Sequence, residues 1–169
     1  MKKNRFVGRC LTFFLLVLLP SGLIISCKED EDDIVKGKTI TEVIIENDRF
    51  SILEEVILHA KMGDALRTGD VTFFAPDNAA FGKANIFDSK GFIALPADSA
   101  KKFLQNHIIP KKRIEYAQFV AGKEKSLTGK EITFTKTDSV IIVNQNNIIV
   151  PNIGAANGVI HIIDSLIVK

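Results

Sequence analysis

The sequence predicts an α+β fold, with helices packed on or beside a mostly antiparallel sheet. Three observations predict it. Apolar residues recur at helical spacing between residues 51 and 108. Short alternating or continuous apolar runs, separated by turn residues, fill the last third. The length, 169 residues with no internal repeat, suits one domain and leaves no room for a second of full size.

The chain opens with Lys2, Lys3, Arg5 and Arg9 and no acid, and Cys10 to Cys27 carries no charge at all. A basic start before a short apolar run is the layout of a secretory signal peptide. The run approaches the roughly 20 residues of a membrane-spanning helix. Pro20-Ser21-Gly22 breaks it, because Pro lacks a backbone donor and Gly is a poor helix former. The run ends at Leu23-Ile24-Ile25-Ser26-Cys27, which resembles a bacterial lipobox, with Ile24 where Leu is commonest. The resemblance implies a signal peptide over residues 1–26 and lipidation of Cys27, which makes a membrane the first partner. Each buried acyl CH₂ contributes about 0.8 kcal/mol, so a multiply acylated cysteine anchors stably.

Glu29 to Asp33 are five consecutive acids that cannot pack. Residues 27–37 therefore read as an acidic tether. They also resemble the acidic surface-export signals of lipoproteins in some Gram-negative bacteria, and both readings stay open. The acids are contiguous with no Gly at the sixth position, which argues against an EF-hand loop. The expected location is a bacterial outer membrane, with the domain facing outward.

From Lys38 the composition is globular. Thr39-Ile40-Thr41-Glu42 and Ser51-Ile52-Leu53-Glu54 both fit a capping box. Leu53, Val56, Ile57 and Ala60 share one helical face, and Gly63 is the expected stop. Val71-Thr72-Phe73-Phe74 reads as a strand ended by Ala75-Pro76. Asp77 caps a short helix carrying Ala80 and Phe81. A looser stretch runs to Leu95, and Pro96 sits in the first turn of the next helix. There Ala100, Phe103, Leu104, His107 and Ile108 repeat at helical spacing up to Pro110. Ile132 and Phe134 alternate with Thr133 and Thr135. Val140–Val143 and Ile148–Val150 are expected to form a hairpin through Asn144-Gln145-Asn146-Asn147. Asn157-Gly158 is a turn signal, followed by a strand over Val159–Val168.

Two stretches resemble the signatures of the fasciclin domain. Val71-Thr72-Phe73-Phe74-Ala75-Pro76-Asp77-Asn78-Ala79-Ala80-Phe81 is similar to the first, and Asn157-Gly158-Val159-Ile160-His161-Ile162-Ile163-Asp164 to the second. Between them, Phe103-Leu104-Gln105-Asn106-His107-Ile108-Ile109-Pro110 looks like the family's central Tyr-His segment. The order fits one domain over residues 38–169. The resemblance implies a β-wedge with an α-helical side, and extracellular adhesion or envelope contact without catalysis. It marks Thr72, Phe74, Pro76, Asn78, Phe81, His107, Asn157, Gly158, His161 and Asp164 as structural motif positions. Asn106 replaces the family's Tyr, so integrin binding is not carried over.

The residues point to packing more than chemistry. Of the three histidines, His59 follows the apolar face of its helix, and His107 and His161 fall on apolar faces of their own elements. Buried, hydrogen-bonded imidazoles are the expectation, since the His-x-x-x-His pattern of helical zinc sites is missing. His161, Asp164 and Ser165 are close in sequence, but His161 and Asp164 have opposite parity on a strand. Asp164 reads as a strand-end anchor for backbone amides. With Cys10 removed and Cys27 acylated, no thiol is left for redox work. No phosphate loop or metal pattern occurs, so no cofactor is expected. Lys111-Lys112-Arg113 and Lys101-Lys102 read as solvated surface.

The net charge is +2. Loss of residues 1–26 would leave the mature chain slightly acidic, so nucleic acid is not an expected partner. Twelve Phe, one Tyr and no Trp argue against aromatic sugar platforms. The mature chain's nine Phe are expected to be mostly buried. The expected partner is an extracellular or envelope protein reached by a broad, multivalent contact. An accessory glycan-binding role, with polysaccharide as the partner, is the alternative.

Overall fold

The structure is a computed structural model that describes residues 37–67 and 69–168. The expected signal peptide, Cys27 and most of the acidic tether lie outside them. The elements, in chain order, begin with α1 (Ile40–Ile45), α2 (Ser51–His59), β1 (Val71–Pro76), α3 (Asn78–Lys83), α4 (Lys90–Ile93) and α5 (Ala97–Asn106). Strands β2 (Ile108–Pro110), β3 (Gly122–Lys125), β4 (Glu131–Thr137), β5 (Val140–Val143), β6 (Asn146–Ala155) and β7 (Gly158–Ile163) follow. Among the described residues, no helix is long and apolar enough to cross a membrane.

The helices show which local signals decide. Thr39 and Glu42 form the expected capping box of α1. Ser51 does not cap α2, because a 3₁₀ turn over Asp48–Phe50 runs straight into the helix. The free Ile52 amide is met instead by Asn78 Oδ1 at 3.2 Å, from 26 residues away. Leu53, Val56, Ile57 and Ala60 are all buried, as the periodicity predicts.

Helix α2 stops before Gly63. Lys61 N–H donates to Leu58 O and Met62 N–H to Ile57 O, both at 3.1 Å. This is a Schellman motif, with buried Met62 against buried Ile57. Its left-handed position is Lys61, with φ of 53°. A side chain there costs about 1 kcal/mol relative to glycine. Lys61→Gly is therefore expected to raise stability by at most about 0.6 kcal/mol in urea denaturation, after the extra unfolded-state entropy of Gly, about 0.4–1 kcal/mol, is discounted.

The seven strands form one sheet in the order β2-β1-β7-β6-β5-β4-β3. Every neighbouring pair is antiparallel except β1 and β7, which run parallel from Val71↔Gly158 to Pro76↔Ile163. Strand β1 includes Pro76, which a strand tolerates at its end. Ile108 belongs to β2 and not to the preceding helix, because α5 ends at Asn106. Between β5 and β6 only Asn144-Gln145 is turn. Both residues have positive φ, as a two-residue hairpin requires. The Asn-Gly signal is offset by one residue. Ala156 and Asn157 form the turn, and Gly158 already pairs with Ala155. Strand β7 ends at Ile163, five residues before the expected Val168.

Alternation along the strands separates two cores. Phe73, Ala75, Ile108, Ile160 and Ile162 join the helices in one. Phe74, Ile109, Ile163, Phe119, Ile132, Phe134, Ile141 and Val143 fill the other. Six of the nine Phe after residue 27 are buried, and Phe92 and Phe103 pack against the helical core. Phe87 is the exception at 80% exposed.

Candidate functional site

The three motif segments meet on adjacent strands. Strand β2 follows His107, β1 carries the first signature and β7 the second. Phe74 N–H donates to His107 O at 2.9 Å. Phe74 also pairs in register with His161, and their rings stack with centroids 5.9 Å apart. Phe119 meets the same imidazole edge-on at 5.3 Å.

Most of the motif's polar groups bind backbone. Thr72 Oγ1 donates to Lys112 O at 2.8 Å and accepts from Ile114 N–H at 2.9 Å. It thereby pins the loop after β2. Asn78 caps α2 and also donates to Asp48 O. Asp77 caps α3 through Ala80 N–H at 2.9 Å and pairs with Arg49 at 2.9 Å. Phe81 is buried against the Phe92 and Phe103 rings. Asn157 Oδ1 accepts from Ile40 N–H at 2.9 Å, while its Nδ2 donates to Leu66 O. One amide thus ties the β6–β7 turn to α1 and to the segment before β1. Gly158 lies against β1, where backbone meets backbone.

Both motif histidines are fully buried and satisfied. His107 Nδ1–H donates to Phe103 O at 2.8 Å, and Nε2 accepts from Ile167 N–H at 3.0 Å. His161 Nε2–H donates to Ile114 O at 2.8 Å, and Nδ1 accepts from Asn152 N–H at 3.2 Å. Each ring is therefore a neutral imidazole with one donor and one acceptor in use. Desolvation drives the His107 pKa down to about 4, against a small opposing effect of its bond to Phe103. Desolvation also lowers that of His161. Neither ring has a lone pair to offer a metal or a substrate. His59 is the outlying third, half-buried, with Nε2 on Leu95 O at 2.9 Å.

Asp164 does not serve His161. Its Oδ1 accepts from Asn147 N–H at 2.9 Å, and its Oδ2 from Lys83 Nζ at 3.0 Å. Burial alone would raise its pKa, but these bonds outweigh burial and lower it. Ser165 Oγ–H donates to Asp164 O at 2.8 Å. The three residues near the chain end thus make no nucleophile–base pair. Among the described residues, no cluster of three His, Cys, Asp or Glu could hold a metal.

Residues 48–169 match the family description "Fasciclin domain". The chain belongs to the fasciclin-domain family. This fasciclin domain is 38% identical over 134 residues to Protein sll1483 of Synechocystis sp., with 76% of this chain and 72% of the relative covered. It is 27% identical over 130 residues to the transforming growth factor-beta-induced protein ig-h3 of Sus scrofa, covering 76% of this chain and 19% of that one. Its fold matches a solved FAS1 domain pair from the insect cell adhesion molecule Fasciclin I, with a TM-score of 0.65 and 19% identity. That match covers 78% of this chain and 51% of the pair. The α+β wedge expected from the sequence is the FAS1 fold.

Several partners of the fasciclin motif carry no sequence signal of their own. Asn152 meets His161 because β6 is irregular between Val150 and Ile153, where Asn152 takes φ of 60°. Asn146 is buried and donates to Leu166 O at 3.4 Å. Tyr116, the single Tyr, is spent on structure: its hydroxyl donates to Ser139 O and accepts from Ile141 N–H. Such bonds join residues whose backbone groups look alike in any sequence.

Proposed function

We propose that this fasciclin-domain protein is a non-enzymatic, lipid-anchored envelope protein whose domain contacts extracellular proteins or envelope material. One observation carries the reading. Thr72, Asn78, His107, Asn157, His161 and Asp164, six polar positions of the motifs, are spent on the fold. The motifs build a scaffold, and contact falls to the surface. Solved FAS1 domains from a cell adhesion molecule share the architecture. The lipobox-like Leu23–Cys27 and the acids behind it support an anchor and a tether.

Cys27→Ala is expected to move the protein from the membrane fraction to the soluble fraction, read by fractionation and immunoblot. Protease added to intact cells is expected to remove the domain. A domain that survives on intact cells and is digested only after lysis would refute surface exposure.

A further inference from the structure

Helix α5 and the turn between β3 and β4 enclose an open groove of about 610 Å³. Lys102, Gln105 and Asn106 line one wall and Leu127, Thr128 and Lys130 the other. The first three sit at i, i+3 and i+4, so one helical face presents them together. None of the six is acidic.

The walls are fixed to each other. Leu127 N–H donates to Ile108 O at 2.7 Å and to Gln105 O at 3.2 Å. Ser126 N–H donates to Lys130 O at 2.7 Å, and Gly129, with φ of 86°, closes the turn onto Ser126. Thr128 Oγ1–H donates to Asn106 Oδ1 at 2.7 Å, with Ser126 Oγ behind it at 2.8 Å. That last bond sets the polarity of the groove. It uses the carbonyl end of the Asn106 amide and leaves the NH₂ end for an incoming group. The Gln105 side chain adds a second amide and Lys102 an ammonium, and among the described residues Lys102 joins no ion pair. Leu127, 42% exposed, adds one apolar contact. The volume falls in the range of small-ligand sites, while the lining, five polar or charged residues and one Leu, suits a polar ligand.

We propose that this groove binds a carboxylated polysaccharide, one uronic-acid unit placing its carboxylate at Lys102 and Asn106. Amides and a hydroxyl beside a cation match a ring that carries hydroxyls beside an anion. A run of Asp and Glu brings carboxylates on flexible stems and no ring hydroxyls to meet the Gln105 amide. A neutral sugar leaves the cation unmatched and finds no aromatic face. The proposal deepens the contact role above, on which it rests, by giving one surface its occupant.

The test is calorimetric titration of the purified full-length chain in detergent micelles with alginate, its methyl-esterified form, dextran and poly-glutamate. Alginate is expected to bind, and esterification to weaken it about tenfold or more. Lys102→Glu and the isosteric Gln105→Glu are each expected to weaken it about tenfold or more at an unchanged melting temperature. Lys136→Glu, on β4 and outside the groove, is expected to change it less than about twofold. Absence of alginate binding overturns the proposal. So does equal binding of poly-glutamate, or equal loss in Lys136→Glu. Fractionation and shaving score the anchor separately, so a protein can fail one test and pass the other.

Discussion

Gly158→Ala is expected to leave the chain without a cooperative melting transition. A Cβ built on Gly158 would lie 2.2 Å from Val71 O and 3.1 Å from Val71 C, both backbone atoms. It would also come within 3.0 Å of Ile40 Cδ1. The side chain could turn aside, but the carbonyl cannot, because it belongs to β1 at the point where β7 pairs in parallel. Relief requires prising β1 from β7 between the two largest motifs. Strain of this kind belongs to the exceptional class above about 4 kcal/mol, comparable with the whole stability of a domain this size. Circular dichroism on heating measures it. A variant that melts within a few degrees of the parent would show that the two strands separate cheaply.

Acid is expected to loosen the domain well above the pH at which its carboxylates titrate. His107 has a pKa of about 4 when folded against 6.5 as a free side chain. Below about pH 6.5 the unfolded chain takes up a proton that the folded chain refuses, so stability falls as pH falls. The loss continues to about pH 4, where the folded ring also protonates, and then levels off. It totals about 3 kcal/mol from this one residue. His161 is shifted in the same direction by the same cause and adds to the slope. Protonation would also place an Nε2–H of His107 against Ile167 N–H, two donors face to face. Urea denaturation between pH 7 and pH 4 checks this. His107→Gln is expected to be less stable at pH 7 and to lose about one proton from the slope. A slope unchanged in that variant would clear His107 of the effect.

What the sequence disclosed depended on the range over which each interaction acts. The apolar face of α2 was legible because Leu53, Val56, Ile57 and Ala60 repeat with the helix. The Asp77 cap was legible because its partner, Ala80 N–H, is three residues away. The β4 faces were legible because Ile132 and Phe134 alternate with threonines. The cap of α2 was not, since Asn78 supplies what Ser51 was expected to supply. The end of α2 was assigned to Gly63 because glycine is the usual left-handed residue, yet Lys61 takes that conformation. Ile108 kept the helical spacing and still joined a strand, because β1 offered it a partner at Phe73. For the motifs, the positions were visible and the reasons were not. His107 is held by Ile167 and His161 by Ile114 and Asn152, and no local pattern marks those backbone groups. The groove beside α5 was half visible, as Lys101-Lys102 read only as solvated surface. Its other wall arrives from twenty residues downstream.

The parallel pairing of β1 with β7 has a kinetic side. Val71 meets Gly158 from 87 positions away in the sequence, the longest separation of any strand pair in the sheet, so this pairing carries the largest loop-closure cost among the strands. A chain emerging from its N-terminus can form α1, α2 and α5 early. It cannot pair both edges of β1 until its last dozen residues have appeared. Until then β1 has only the three-residue β2 beside it, through Phe73↔Ile108, and its other edge is open. Loss of even the final strand would therefore leave not a shortened domain but an unfinished one, the facing edges of β1 and β6 exposed to whatever else offers an edge.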